Sequence, residues 1–192
     1  MNIQKLCVFC GSSVGNGSVY QNLAKEFGEA MVKNRLQLIY GGGGIGLMGI
    51  VADTVRRGNL KVTGIIPTKI YEMVKAVESF EDELIIVDDM HQRKATMYER
   101  ADAFVALPGG IGTLEELLEI FCWFQLGYHN KPVALLDING YYSALINLFE
   151  QMHSEGFLKK EALGSLIVES DANLLIERLR KPVSELPLKF SV

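Results

Sequence analysis

A glycine-rich segment near the middle of the chain is Leu107-Pro108-Gly109-Gly110-Ile111-Gly112-Thr113-Leu114-Glu115-Glu116. Residues 103–107 form a short, bounded apolar run, which is typical of a buried parallel strand. An apolar helical pattern follows from residue 117 onward. The segment is therefore predicted to be a strand-to-helix turn. Glycines let a ligand approach the backbone closely, and the amides and helix N-terminus of such a turn suit an anion such as phosphate.

Thr113 and Glu116 have two interpretations that the sequence leaves open. The spacing S/T-x-x-E is a common helix start, in which Thr113 is the N-cap and Glu116 reaches back to its amide. The glycine-rich turn before them favours a functional role for Glu116 about as strongly.

The same alternation of strand and helix extends along the whole chain. It predicts an α/β fold with a mostly parallel sheet and helices on both faces. The predicted strands are 6–10, 36–40, 62–66, 84–87, 103–107, 133–136 and 166–168. We expect a single domain over 1–192, in which 182–192 is a loosely attached tail.

Several predicted strands end in residues that suit a binding site. Gly and Ser clusters follow three of them, at 11–13, 41–46 and 109–112, and acids beside a basic helix start follow a fourth, at 88–94. Ligands in parallel sheets bind at the carboxyl ends of strands, near a switch in strand order. We therefore expect all four segments at one edge of the sheet.

Composition excludes several classes of function. The formal net charge is −4, from 19 basic and 23 acidic residues, which argues against a nucleic-acid partner. No apolar run reaches membrane-spanning length and the N-terminus lacks a signal-peptide pattern, so we expect no membrane partner and a cytoplasmic location.

Three cysteines do not suggest a disulfide framework, and Cys7 and Cys10 should face opposite sides of a strand. No cluster has metal-ligand spacing, so no metal is predicted.

Two further segments are candidates for binding. Gly41–Gly46 lacks clean dinucleotide-fingerprint spacing, and the acid expected about 20 residues later is missing, so NAD(P) binding is not favoured. Two interpretations of the segment stay open: a turn that lets a strand and a helix pack closely, or a close approach of the backbone to a nucleotide. Met90–Lys94 places two cations at a helix N-terminus, which disfavours positive charge. An anion near these two cations would offset this cost, and the candidates are a capping acid (Asp88 or Asp89), a bound phosphate or a catalytic carboxylate. Of the two cations, Arg93 is the better candidate for a fixed contact, because its guanidinium can bind two oxygens at once.

The helix after Thr113 is apolar nearly all round, which indicates that it is buried or shared between subunits. We therefore expect a homodimer.

Taken together, these motifs resemble one known family. Pro108–Glu116 matches the P-G-G-x-G-T-x-x-E motif of the LOG family, the cytokinin riboside 5′-monophosphate phosphoribohydrolases, and Met90–Lys94 matches its second motif. Residues 10–13, 41–49 and 101–104 also match. The likeness runs from about Lys5 to Leu179.

The resemblance implies a Rossmann-like three-layer αβα sandwich and a homodimer. It also implies hydrolysis of the N-glycosidic bond of a nucleotide substrate such as AMP or N6-prenylated AMP, giving the free base and ribose 5-phosphate without a cofactor. Members have often been labelled lysine decarboxylases, a label that implies a pyridoxal-phosphate lysine, and no sequence context in this chain supports one.

By motif match, Arg93 and Glu116 correspond to the catalytic pair. The implied substrate- and phosphate-binding positions are Ser12, Gly43, Lys94, Gly109, Gly110, Gly112 and Thr113. The family's upstream acidic contact falls on Lys75, with Glu72 or Glu78 as the candidate replacements. This departure leaves open the base-side pocket and the preference between prenylated and plain adenine.

Cleavage of an N-ribosyl bond builds positive charge on the sugar, and a nearby carboxylate can stabilise that charge or activate the attacking water. A helix N-terminus favours the ionised form of Glu116, so we expect a base or electrostatic stabiliser. The alternative function is a non-catalytic nucleotide or cofactor carrier, similar to the molybdenum-cofactor carriers. A carrier would bind phosphate at the glycine turn without turnover and would not need the Arg93–Glu116 pair.

Overall fold

A parallel sheet of seven strands forms the centre of the computed structural model, which describes residues 2–77 and 79–182. The strands are β1 (Lys5–Phe9), β2 (Gln37–Tyr40), β3 (Val62–Pro67), β4 (Glu83–Val87), β5 (Ala103–Ala106), β6 (Val133–Leu136) and β7 (Ile167–Glu169). Every predicted strand is present within two residues of its predicted bounds, and all neighbouring pairs are parallel.

Eight helices connect the strands within the described ranges. They are α1 (Val19–Lys33), α2 (Gly46–Arg57), α3 (Thr68–Val74), α4 (Met90–Arg100), α5 (Ile111–Gln125), α6 (Ser143–Ser154), α7 (Lys160–Ser165) and α8 (Ala172–Leu179). The predicted cap of α4 is confirmed, because Asp89 accepts a 2.8 Å hydrogen bond from the amide of Gln92, and Asp171 caps α8 in the same way through the amide of Leu174. The short helix α7 was missed by the sequence analysis.

The strand order is β4-β3-β2-β1-β5-β6-β7. The chain builds outward from β1 in one direction and from β5 in the other, so the order reverses between these two strands. Their pairing is continuous, from Leu6 opposite Ala103 to Phe9 opposite Ala106. The switch point, and with it the expected ligand crevice, therefore lies between the carboxyl ends of β1 and β5.

Each face of the sheet has its own apolar core, which gives the three-layer αβα sandwich. Leu6 and Val8 join the core under α1, α2 and α8, whereas Cys7 and Phe9 join the core under α4, α5 and α6. This alternation follows the two-residue period of a strand. Cys7 and Cys10 are both buried and free on opposite faces, as predicted.

The start of α5 differs from the capping-box interpretation. Gly110, in an extended conformation, is the N-cap, and the helix begins two residues before Thr113. Thr113 is therefore not the cap, and Glu116 lies in the second helical turn. Ile111 and Gly112 are already helical, so Thr113 lies inside the first turn, where it cannot act as the N-cap.

None of the helices in the part of the chain that the structure describes is long and apolar enough to cross a membrane. The cytoplasmic location stays a prediction. Of the predicted tail 182–192, all but Pro182 lies outside the described residues.

Candidate active site

The turns that follow β1, β2 and β5 are in direct contact. The Gly11 amide donates to the Pro108 carbonyl at 3.1 Å, and the Leu47 amide donates to the Gly11 carbonyl at 3.0 Å. Gly46 lies so close to the β1 turn that a Cβ there would be 2.3 Å from the carbonyl carbon of Ser12. The expectation that these segments gather at one edge of the sheet is confirmed for all three turns.

The turn after β5 is braced on one side. The hydroxyls of Tyr141 and Tyr142 donate 2.6 Å hydrogen bonds to the carbonyls of Gly109 and Leu107. Thr113 is buried against Gly109, where a Cβ would come within 2.1 Å of its Oγ1. The two tyrosines therefore fix the backbone of the turn through its carbonyls and not through its amides.

The other side of this turn is open. A Cβ built on Gly110 or Gly112 would meet nothing within 4 Å. The first amides of a helix have no intrahelical acceptor, and the N-cap Gly110 has no side chain to satisfy them. This combination of open space, unpaired donors and a positive helix end can hold a phosphate.

Arg93 and Glu116 form a buried ion pair one helical turn away from this surface. The Arg93 Nη1 atom lies 3.1 Å from Glu116 Oε1, and the two side chains are only 13% and 10% exposed. Arg93 Nε also donates to the carbonyl of Ile65 at 3.2 Å. Its Nη2 fills the space beside Gly41, where a Cβ would lie 1.9 Å away. The sequence-predicted pair is thus brought together next to the β2 turn.

Glu116 holds a proton more readily than an ordinary glutamate. Burial raises the pKa of its carboxyl, and Arg93 offsets this effect only in part. Its Oε1 is buried and, among the described residues, accepts no hydrogen bond, because the contact with Arg93 is not aligned as one. The expectation that the helix N-terminus favours the ionised form is therefore wrong. The dipole acts mainly within the first turn, and Glu116 lies beyond it.

Lys94 contacts a different set of groups from the one expected. Its buried ammonium binds the carboxylates of Glu115 and Glu119, the latter at 2.9 Å. The Tyr98 hydroxyl donates to the same Glu119 at 2.7 Å. Neighbouring helical residues point about 100° apart, so Arg93 and Lys94 cannot face the same group. In this structure Lys94 joins α4 to α5 and does not contact the glycine turn.

The two remaining predicted positions lie on the neighbouring turns. Ser12 is exposed on the β1 turn. The amide of Gly43, on the β2 turn, already donates to Glu81 Oε1 at 3.1 Å. This donor is therefore occupied by the protein itself, whereas the first amides of α5 have no intrahelical acceptor.

Glu81 is the acid at this site that sequence reasoning missed. Of the two candidates, Glu72 is exposed and pairs with Lys75, and Glu78 lies outside the described residues. Glu81 stands in an acidic run just before β4, where nothing in the sequence distinguishes it from its neighbours. The sequence feature that points to Glu81 is Gly64, a glycine inside β3. Its missing side chain leaves room for Glu81, because a Cβ there would come within 2.7 Å of Glu81 Cγ.

Across residues 2–77 and 79–182, no three His, Cys, Asp or Glu side chains are grouped so that they could hold a metal ion. The groups that the crevice offers to a ligand are an acid, a guanidinium and backbone amides.

Comparison with known proteins relates this site to a family. A family model described as "Possible lysine decarboxylase" matches residues 48–179. The chain is 44% identical over 178 residues to the "Probable cytokinin riboside 5′-monophosphate phosphoribohydrolase LOGL2" of Oryza sativa subsp. japonica, covering 93% of this chain and 72% of the relative. It is 45% identical over 178 residues to the cytokinin riboside 5′-monophosphate phosphoribohydrolase LOG3 of Arabidopsis thaliana, covering 93% and 82%.

Solved structures share the fold at much lower identity. The molybdenum cofactor binding protein from Rippkaea orientalis aligns with a TM-score of 0.68 at 20% identity, covering 94% of this chain and 97% of that one. The molybdenum cofactor carrier protein of Chlamydomonas reinhardtii aligns with a TM-score of 0.68 at 17% identity, covering 93% and 98%. At such identities the likeness concerns the fold alone.

A switch-point crevice with an open amide turn and a buried acid–guanidinium pair, in a chain with these relatives, defines an enzyme of the phosphoribohydrolase class. The chain belongs to the LOG family.

Replacing Glu116 by glutamine is expected to change the free energy of unfolding in a pH-dependent way, with a gain relative to the wild type that grows as pH rises. The raised pKa of Glu116 means that the native state binds more protons than the unfolded state, so the wild type loses stability as pH rises through the folded pKa. Glutamine resembles the protonated acid and avoids this loss. Urea denaturation at several pH values should show a gain that shrinks as pH falls toward 4.5, the ordinary glutamate value.

Glu150→Gln, which alters an exposed glutamate on α6, is the matched control and should show no such pH-dependent gain. A difference in stability between Glu116→Gln and the wild type that stays constant with pH, or that becomes less favourable to the variant as pH rises, would contradict the raised pKa.

Proposed function

We propose that this enzyme hydrolyses the N-glycosidic bond of adenosine-type nucleoside 5′-monophosphates, namely AMP and cytokinin riboside 5′-monophosphates. The products are the free base and ribose 5-phosphate. The observation that supports this most directly is the buried Arg93–Glu116 pair beside an open, amide-lined turn. The names of the relatives at 44% and 45% identity support the same substrate class.

Substrate binding begins at the turn after β5. The 5′-phosphate occupies the open space in front of Gly110 and Gly112, where the first amides of α5 donate to it. This places the ribose toward the second turn of α5, where Glu116 lies. The phosphate anchors the substrate, and its binding energy orients the reacting bond.

Glu116 acts on the anomeric carbon of the bound ribose. The bond from C1′ to the base nitrogen breaks as positive charge develops on the sugar; the base leaves with the bonding electron pair and takes a proton from solvent, and a water oxygen forms the new bond to C1′. Glu116 stabilises that charge and accepts the proton that the water loses, which its raised pKa favours. Its Oε1 is buried against Arg93 Nη1 at 3.1 Å, so the second carboxylate oxygen, Oε2, is the acceptor for this step.

Arg93 orients the carboxylate. Its guanidinium is fixed by the Ile65 carbonyl at 3.2 Å and by packing against Gly41. A fixed cation at 3.1 Å favours the ionised form of Glu116 and so opposes the effect of burial on its pKa. Loss of Arg93 therefore removes both the orientation of Glu116 and the charge that opposes its protonation.

The non-catalytic carrier is the alternative for the same site. A carrier would bind the phosphate at the glycine turn and leave AMP intact. Chromatography of a long incubation with AMP distinguishes the two, because free adenine supports the hydrolase and unchanged AMP supports the carrier.

Glu116→Gln and Arg93→Ala are each expected to lower the rate of adenine release from AMP by at least about 100-fold, the usual scale for a positioned acid–base or electrostatic group. Arg57→Ala, which changes an exposed arginine on α2, and Glu150→Gln are the matched controls and should retain wild-type turnover. Near-wild-type turnover by a folded Glu116→Gln enzyme would end the catalytic assignment.

Removal of the 5′-phosphate from the substrate is expected to lower kcat/KM by about 100-fold, because adenosine loses the group that positions the ribose. On the protein side, Gly112→Asp places a carboxylate in front of the amides and should raise KM for AMP. Gly112→Asn has the same shape without the charge and should raise KM much less. Equal KM values for the two variants would argue against phosphate binding at this turn.

We also propose that the enzyme is a homodimer that uses α5. This helix leaves Leu118 42% exposed and Trp123 37% exposed, although most of its other face is buried. Leu118→Glu is expected to convert the dimer to a 21.3 kDa monomer in sedimentation experiments. Leu174→Glu on α8 is the control, because Leu174 has the same 42% exposure. A dimer that persists in Leu118→Glu would place the interface elsewhere.

A further inference from the structure

A single carboxylate joins the two ends of the turn after β2. The Oε1 atom of Glu81 accepts hydrogen bonds from the Tyr40 hydroxyl and from the Gly43 amide, the latter at 3.1 Å. Tyr40 is the last residue of β2 and is itself buried. The two contacts therefore bracket Gly41 and Gly42, which have no side chains of their own.

The bracketed turn needs such a restraint. Gly42, Gly43 and Gly44 all have positive φ, at 74°, 90° and 58°. Glycine loses more conformational freedom on folding than any other residue, so three in succession resist being held in one conformation. The hydrogen bonds to Glu81 fix the turn from outside.

The opposite side of the turn touches the catalytic arginine. A Cβ on Gly41 would lie 1.9 Å from Arg93 Nη2, so the backbone of Gly41 forms one wall of the space that the guanidinium occupies. Arg93 also contacts the Ile65 carbonyl, Glu116 and, at 3.2 Å, the Sδ atom of Met90. A movement of Gly41 would therefore change the position of Arg93 relative to Glu116.

The fold provides a dedicated place for Glu81. Gly64 in β3 leaves the room that its side chain fills, since a Cβ there would be 2.7 Å from Glu81 Cγ. Ser79 donates a hydrogen bond to the second carboxylate oxygen. Burial by itself would raise the pKa of Glu81, but the hydrogen bonds from Ser79, Tyr40 and Gly43 outweigh it and the pKa lies below its ordinary value. Glu81 is thus a stably ionised acceptor.

From these contacts we infer that Glu81 is a positioning residue for the reaction: it restrains the Gly41–Gly43 backbone and thereby holds Arg93 against Glu116. The effect of Glu81 on kcat rests on the proposed function. Glu81 itself is not proposed to contact the substrate.

Glu81→Ala removes both contacts and is expected to lower kcat for AMP by about 10- to 100-fold, the scale of a small misplacement of a catalytic group. KM should stay within about twofold, because the phosphate turn after β5 is braced by Tyr141 and Tyr142 and not by Glu81. Glu81→Gln retains an oxygen acceptor for Tyr40 and Gly43 and should recover most of kcat. Glu29→Ala, at an exposed acid on α1, is the control and should match the wild type.

Tyr40→Phe removes one of the two contacts and should lower kcat by less than Glu81→Ala. In the double variant Tyr40→Phe/Glu81→Ala, kcat should fall by the same factor as in Glu81→Ala alone, because both changes release the same turn. Should Glu81→Ala fail to fold, Tyr40→Phe provides the same test. A rise in KM at unchanged kcat would overturn the inference in favour of a substrate contact, and unchanged kcat in both variants would overturn it outright.

A measurement on Arg93 itself separates this inference from the proposed function. The Arg93 Nε–H resonance in ¹⁵N NMR spectra, assigned by its loss in Arg93→Lys, reports the hydrogen bond to the Ile65 carbonyl. It should shift or broaden in Glu81→Ala and return in Glu81→Gln. An enzyme that leaves AMP intact while the resonance responds in this way refutes the proposed substrate only. A resonance that is unchanged in Glu81→Ala refutes the positioning role.

Discussion

The buried ion pair between Arg93 and Glu116 is the interaction on which the site depends. It joins α4 to α5 at 3.1 Å, and these two helices come from connections on either side of β5. A second set of charges, Lys94 with Glu115 and Glu119, joins the same two helices farther along. Burying charges is costly unless they are paired, so the two helices must pack in the one arrangement that pairs them.

The same burial that makes the pair costly makes it chemically useful. A carboxylate in water would have its ordinary pKa and would hold no proton near neutral pH. Removing it from water raises the pKa of Glu116, and the adjacent guanidinium limits that rise. The result is a carboxyl whose two protonation states are closer in free energy at neutral pH, which is what an acid–base group requires. Perturbed pKa values of this kind are characteristic of functional sites.

Glycine serves two different purposes around this pair. At Gly110 and Gly112 the missing side chains leave open space in front of helix amides, which suits a ligand. At Gly41, Gly46 and Gly64 the missing side chains let protein atoms approach closely: Arg93, the Ser12 backbone and Glu81, respectively. The first pair of glycines leaves space open, and the other three let neighbouring parts of the protein pack closely.

The sequence by itself determined the alternating α/β fold, the strands and the two residues of the central pair. Strand periodicity is a local property, and the motifs around Arg93 and Glu116 are contiguous, so both are visible in one dimension. Only the tertiary structure decided the direction of the Glu116 pKa shift, the partners of Lys94 and the contacts of Glu81. Each of these depends on burial or on contacts between residues far apart in the chain, such as Tyr40 with Glu81 or Lys94 with Glu119. Desolvation and through-space pairing are set by packing, which no local pattern of residues encodes.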